Sequence, residues 1–348
     1  MATTLRCIKS NEKNPMKKIF LFLAILFITQ LSIGQNTDLN NLVEKGIKFH
    51  DKGEYAKAII EYKKALILDP NSSLVNYEIA FSYLSNKEYV KAEKHSKKAI
   101  ELKDNNLLPS YITYANSLDL QGKSKKAIKV YEKAIKEFDN YLLYYNYGYT
   151  CLNQGKLEKA YSAALKAIEK NSSHGSSHLL LSEVMNKKGE RIKAMLPLYF
   201  FLLIEPNSSR SAIEYKKLRN YLDQGVKRTS ENKINISIPM NNDSDFGAVE
   251  MMVSLAKASN SMEENINKDE LDLFAENNET IFKILGELKK DNTGFWWDLY
   301  VPFFYELANQ NLVKPYSYYI SLSKGEKVTN WIEENDEEFE KFKNWLNQ

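Results

Sequence analysis

The chain is short of the residues that metal, redox or phosphate chemistry would need. Its 348 residues include only two cysteines, Cys7 and Cys151, too few for a disulfide scaffold or a paired-cysteine metal site. Four histidines occur, and of these only His174 and His178 have the i, i+4 spacing of a zinc pair. A turn boundary falls between those two and no third ligand is evident, so they read as solvated repeat-junction residues. There is no glycine-rich phosphate loop and no His-Glu-x-x-His helix. Without a catalytic constellation the chain reads as a non-enzyme that uses no cofactor and no metal. With 13 glycines and 8 prolines, a long disordered body is disfavoured.

Long apolar runs are equally scarce, and the one present is informative. Met16-Lys17-Lys18 precedes an unbroken apolar stretch from Ile19 to Ile28, followed by Thr29-Gln30-Leu31-Ser32-Ile33-Gly34-Gln35. A basic start, a short apolar core and a small-residue exit are the parts of a secretory signal peptide, and the run is shorter than the roughly 20 residues a membrane span needs. Residues 1–34 are therefore expected to be leader and signal peptide, with Met1 and the second methionine, Met16, both open as the translation start and the mature chain starting near Gln35. The mature protein is then exported, periplasmic or secreted, with no stable membrane insertion. No cysteine closes the run, so a lipid anchor of the bacterial type is not indicated. Cys151 becomes the single thiol of the mature chain, expected as a small buried hydrophobe.

Charge divides the remainder. Residues 36–228 carry 32 basic and 22 acidic side chains, whereas residues 229–348 carry 11 and 22. A basic half is thus joined to an acidic one. The mature chain is not basic as a whole, which speaks against nucleic acid as a partner.

The basic half is periodic. Ala58, Ala92, Ala127, Ala160 and Ala194 follow one another at steps of 34, 35, 33 and 34 residues, a period that marks stacked helical repeats. Twelve residues before each alanine stands Gly46, Ala80, Ala115, Gly148 or Ser182, where a small side chain lets two helices approach. Five before it stands Gly53, Lys87, Gly122, Gly155 or Gly189, where a tight turn favours positive φ. Tyr62, Tyr131 and Leu198 are large groups that fill the space between helices. Pro70 and Pro206 close their units, and Asn71-Ser72-Ser73 and Asn207-Ser208-Ser209 supply N-caps for the helices after them.

Asp51-Lys52-Gly53-Glu54-Tyr55-Ala56-Lys57-Ala58, running on to Ala65-Leu66-Ile67-Leu68-Asp69-Pro70, resembles the consensus of the tetratricopeptide repeat family. Five such units cover 39–208. The fifth departs from the pattern, with Phe201 in a small-residue place and Pro197 inside its second helix. The resemblance implies an all-α fold: a right-handed α-α superhelix of about five helix pairs, whose concave groove takes peptides or partner proteins. Residues 209–228 are expected as a capping helix, 229–245 as a linker, and 246–348 as an acidic helical C-terminal domain.

Members of that family that grip a peptide carboxylate line the groove with Lys, Asn and Arg. The corresponding places here include Tyr77, Phe81, Asn116, Tyr145 and Tyr149, with Leu74, Leu84 and Leu152 at neighbouring groove positions. The expected partner-binding face is therefore apolar and aromatic. An aromatic side chain offers about 150–250 Å², so several together exceed what a monomer usually leaves bare. The cover could be the protein's own C-terminal half, a partner peptide or a small ligand.

In the acidic half, Ile234-Asn235-Ile236-Ser237-Ile238 alternates with period two but has no obvious partner strand, so it reads as extended linker. Asn241-Asn242-Asp243-Ser244-Asp245 lacks the closing Glu of a calcium loop and reads as a solvated capping turn. Helices are expected over 246–258, 268–290, 294–310, 315–323 and 326–347. The run Phe295 to Tyr305 is expected mainly as core, with Pro302 kinking or restarting its helix. Two functions stay open: an exported scaffold for a protein or peptide, or an exported binder of glycans or hydrophobic ligands through Tyr and Trp stacking. The sequence leaves the oligomeric state open.

Overall fold

The computed structural model describes residues 37–105, 107–230, 233–237, 246–259, 265, 267–289 and 292–348. The signal peptide, both candidate translation starts and the Asn241–Asp245 turn lie outside these residues. Among the described residues the fold is all-α apart from one two-stranded antiparallel pair, and the chain divides into two compact units, one ending at Val130 and the other running from Tyr131 to Gln348. Among the described residues no helix is long and apolar enough to cross a membrane.

The first unit holds α1 (37–51), α2 (Tyr55–Leu68), α3 (Ser73–Ser85), α4 (Tyr89–Leu102), α5 (Leu107–Leu120) and the start of α6 (Ser124–Glu137). Its core joins Val43, Ala58, Ile59, Tyr62, Ala65, Val75, Ile79, Tyr83 and Ala92. Gly46 shows why a small residue is needed there, because a Cβ at that position would stand 2.4 Å from the Tyr62 ring. Ser72 caps α3 by accepting from the Val75 amide at 3.2 Å.

The second unit continues with α7 (Tyr141–Asn153), α8 (Leu157–Lys170), α9 (Gly175–Lys188), α10 (Arg191–Ile204) and α11 (Ser211–Asp223). Then come β1 (Val226–Ser230), β2 (Lys233–Ile236), α12 (Gly247–Ser259), α13 (Glu270–Lys289), a π-helical turn (Trp296–Tyr300), α14 (Val301–Asn309), α15 (Val313–Tyr319), α16 (Glu326–Glu334) and α17 (Asp336–Leu346). Near Pro206 the cap differs from expectation: the Ser208 amide donates to Ser211 Oγ at 2.8 Å, and Arg210, with no side-chain cap bond, precedes α11.

Two expectations are corrected here. The alternating run at 234–236 does find a partner: β1 pairs antiparallel with β2, Val226 opposite Ile236 and Arg228 opposite Ile234. The partner was hidden because Val226-Lys227-Arg228-Thr229-Ser230 has no apolar alternation. The strand pair therefore takes the last residues assigned to a capping helix and the first assigned to a linker. The acidic stretch 326–347, expected as one helix, breaks at Asn335, whose side-chain amide donates to the Trp331 carbonyl at 2.8 Å.

The C-terminal helices pack on the last repeat. α10 is apolar around its whole circumference, so it needs neighbours on every side. Tyr199 supplies the centre: its ring meets Phe274, Phe282 and Phe304, its hydroxyl donates to Asn278 Oδ1 at 2.5 Å, and its carbonyl accepts from the Tyr316 hydroxyl at 3.1 Å. Pro302 stands at the start of α14, immediately after the π-helical turn, so the hydrogen-bonding pattern of a continuous helical path changes beside the residue that lacks an amide hydrogen. At the other end, the buried Arg191 guanidinium pairs with Glu250 at 2.6 Å and donates to the Gln224 and Glu250 carbonyls and to Ser254 Oγ. One residue thus ties α10, the end of α11 and α12 together.

Candidate functional site

In the first unit the apolar face expected from the sequence lies along α3. Leu74, Tyr77, Phe81 and Leu84 recur at intervals of three and four, which brings them to one side of a helix. Leu74 and Phe81 are 39% and 38% exposed, and Tyr77 and Leu84 are half-buried. The Tyr77 and Phe81 rings are stacked with centroids 6.2 Å apart, and His50 stacks on Phe81 in turn at 4.6 Å. His50 Nδ1 lies 2.7 Å from Ser82 Oγ, which orients this ring. Beside the ladder, burial pushes the Glu78 carboxyl above its ordinary range, with the Tyr62 hydroxyl donating to it at 3.4 Å. Asn116, on α5, is half-buried.

In the second unit Tyr145, Tyr149 and Leu152 of α7 meet at a cavity of about 230 Å³, together with Leu179 of α9. Tyr145 and Tyr149 stand 6.4 Å apart, and Tyr145 is set edge-on against His174 at 5.1 Å. Tyr149 is 51% exposed, whereas Leu152 is buried and forms wall rather than surface. The far end of the cavity is charged, a feature the sequence reading missed: Glu183, Arg210, Glu214 and Lys217 line it. Arg210 donates to Ser176 Oγ at 2.9 Å and pairs with Glu205, and Lys217 pairs with Glu183 at 2.9 Å. Burial raises the Glu214 carboxyl, and the Lys217 ammonium 4.0 Å away partly offsets this. The signal available was the i, i+3 spacing of Glu214 and Lys217 on one face of α11.

The residues lining this cavity all lie between Tyr145 and Lys217. Among the described residues, none from the C-terminal half lines this cavity. The aromatic run from Phe295 to Tyr305 is likewise no stacking platform, since Trp296, Trp297, Tyr300 and Phe304 are buried.

His178 departs from the expectation of a solvated junction residue, whereas His174 is half-buried at the repeat junction before α9. His178 is fully buried, with Nδ1 2.6 Å from the Tyr300 hydroxyl and Nε2 2.8 Å from the Ser172 carbonyl. Both ring nitrogens are thus occupied, and burial lowers its pKa to about 4. Cys151 is a buried free thiol whose pKa burial raises. Among the described residues, no three His, Cys, Asp or Glu side chains gather as a metal-holding group.

The architecture so far is an all-α array of paired helices. Residues 108–140 and 141–174 match the tetratricopeptide repeat model, so the chain carries tetratricopeptide repeats, and the two matched units start at Leu108 and Tyr141. No curated protein matches the chain. Among solved structures, YrrB, described as a TPR protein with an unusual peptide-binding site, is 21% identical with a TM-score of 0.40, covering 54% of this chain and 97% of its own. A thermophilic TPR protein of Thermus thermophilus is 16% identical with a TM-score of 0.46, covering 53% and 98%. PilF of Pseudomonas aeruginosa is 19% identical with a TM-score of 0.45, covering 55% and 91%. At this level the similarities bear on no partner or activity of the present chain.

Proposed function

We propose that this protein is an exported, non-enzymatic interaction scaffold that holds a peptide or partner protein, with Leu74, Tyr77, Phe81, Leu84 and Asn116 as the contact residues of the first unit and Tyr145 and Tyr149 as those of the second. The observation that carries this reading is the set of large apolar groups left open at spaced helix positions, Leu74 and Phe81 in one unit and Tyr149 in the other. Such groups are rarely left facing water in clusters unless something covers them, and an apolar or aromatic strip suits side chains presented at helical or extended spacing. The paired charges at the end of the Tyr145 cavity add directional donors and acceptors there.

The test is capture of the tagged mature protein's partners from its native envelope, with wild type beside a Phe81→Ser/Tyr149→Ser double variant. Loss of the captured protein with unchanged circular dichroism is expected. An identical captured set from both proteins removes the apolar face from the reading. Export is tested separately: N-terminal sequencing of the mature protein is expected to begin near Gln35, and an intact Met1 or Met16 overturns it.

A further inference from the structure

A second cleft, of about 540 Å³, opens between α6 and α8 in the unit that begins at Tyr131. That volume is in the range of small-molecule sites, roughly 300–1,000 Å³. Its walls are Ile135 of α6, Tyr144 and Tyr147 of α7, and Ala163 of α8. Both tyrosine hydroxyls are already engaged, Tyr147 donating to Glu132 at 3.1 Å and Tyr144 to Asp139 at 3.0 Å. The walls therefore present ring carbon and aliphatic groups rather than free donors.

The repeat alignment explains why the space stays open. Three residues after the repeat alanine stand Glu61, His95, Val130, Ala163 and Pro197, so the fourth repeat has the smallest side chain of the set. In the second repeat the His95 imidazole occupies this place, stacked on Tyr83 at 5.6 Å and 3.1 Å from Asn76 Oδ1. In the fourth repeat a methyl group replaces that ring. Ala163 also lies close under α7, where a Cβ on Gly148 would come within 3.1 Å of it.

The rim is basic. Lys159 pairs with Glu132 at 2.7 Å, Lys166 with Glu169 at 2.7 Å, and Glu158 with Lys188 at 2.9 Å. Lys136 also lines the cleft and enters no ion pair among the described residues, leaving one uncompensated positive charge beside an apolar floor. We propose that this cleft binds a single-chain amphiphile with an anionic head, a long-chain carboxylate. The alkyl chain lies against Ile135, Tyr144, Tyr147 and Ala163, and the carboxylate meets Lys136. An apolar body suits the ring-carbon and aliphatic walls, where Ser162 adds one hydroxyl at the exposed edge, and an anionic head suits the unmatched positive rim charge.

The experiment titrates dodecanoate, below its micelle concentration, into the full chain by calorimetry. Saturable one-to-one binding is expected. Ser162 is an exposed lining residue, so Ser162→Phe fills the cleft without entering the core and is expected to weaken binding about tenfold or more. Lys136→Glu, and 1-dodecanol in place of dodecanoate, are each expected to weaken it about fivefold or more. Tyr149→Ala is expected to leave dodecanoate binding unchanged, which separates this cleft from the partner-binding face. Circular dichroism of each variant reports folding. Absence of saturable binding, or equal affinity in Ser162→Phe, overturns the site; equal affinity for 1-dodecanol overturns the role of Lys136.

Discussion

Helices α2 and α10 hold the same place in the first and fifth repeats, and each is 14 residues long. In α2 the buried residues Ala58, Ile59, Tyr62 and Ala65 form a stripe, while Ile60 and Ile67 face water. In α10 burial runs almost without a break from Arg191 to Leu202. One repeat pattern therefore produces a surface helix or a core helix, depending on what the later chain lays over it. The repeat alanine, fully buried in both, is blind to that difference. The apolar circumference of α10 is not, and Phe201 and Pro197 belong to the same change.

The comparison is broken most severely at Arg191. Glu250→Ala leaves a guanidinium buried among α10, α11 and α12 without its counter-charge, and is expected to cost about 3–5 kcal/mol of stability in urea unfolding. Glu54→Ala removes the exposed pair with Lys57 on α2, and is expected to cost less than about 1 kcal/mol. Similar losses for the two would mean that α10 is no better covered than α2.

His178 provides the next largest effect, and it is one of pH. Burial holds its imidazole at about 4, below the ordinary 6.5. Between those values the folded state binds fewer protons than the unfolded one, so stability falls as pH drops from about 6.5 toward 4. The fall attributable to this residue is about 3 kcal/mol across the window. His178→Gln keeps polar atoms beside Tyr300 but no titrating group, so its stability is expected to change less between pH 7 and pH 4.5. Equal changes in both proteins would separate His178 from the acid response.

Gly46→Ala probes the first unit. Helix propensity alone favours alanine by about 1 kcal/mol, yet the added methyl would meet the buried Tyr62 ring. Overpacking of this kind costs about 1–3 kcal/mol, so a net loss near 1 kcal/mol is expected in chemical denaturation. A gain would show that Tyr62 moves aside freely.

Much of the repeat architecture was legible because its signals are local and recur. Ala58, Ala92, Ala127, Ala160 and Ala194 are all fully buried, and Gly53, Gly122, Gly155 and Gly189 all have positive φ. Half of the candidate site was legible for the same reason: Leu74, Tyr77, Phe81 and Leu84 share a face by spacing alone. The rest depends on pairings between distant segments. No periodicity in Val226-Lys227-Arg228-Thr229-Ser230 announces a strand, and nothing around His178 announces Tyr300. The charged end of the Tyr145 cavity comes from Glu183 of α9, from Arg210 just before α11 and from Glu214 and Lys217 of α11, and is assembled only through tertiary packing.

The smallest expected effect lies at the turn where one repeat departs from the others. Lys87 holds φ 63°, the left-handed conformation that glycine holds at the equivalent turns. For a residue with a Cβ that conformation costs roughly 1–2 kcal/mol, offset in part by the larger unfolded-state entropy of glycine. Lys87 is exposed, and the turn is closed by backbone bonds from the Lys87 amide to Leu84 at 3.0 Å and from the Glu88 amide to Tyr83 at 2.8 Å, neither of which needs the side chain. Lys87→Gly is therefore expected to stabilise by about 1 kcal/mol or less, seen as a higher urea midpoint with an unchanged slope. The reverse change, Gly155→Lys, is expected to destabilise by a similar amount in the other unit. If Lys87→Gly lowers the midpoint, the lysine stem contributes more at that surface than the backbone strain takes away, and the two turns are not equivalent.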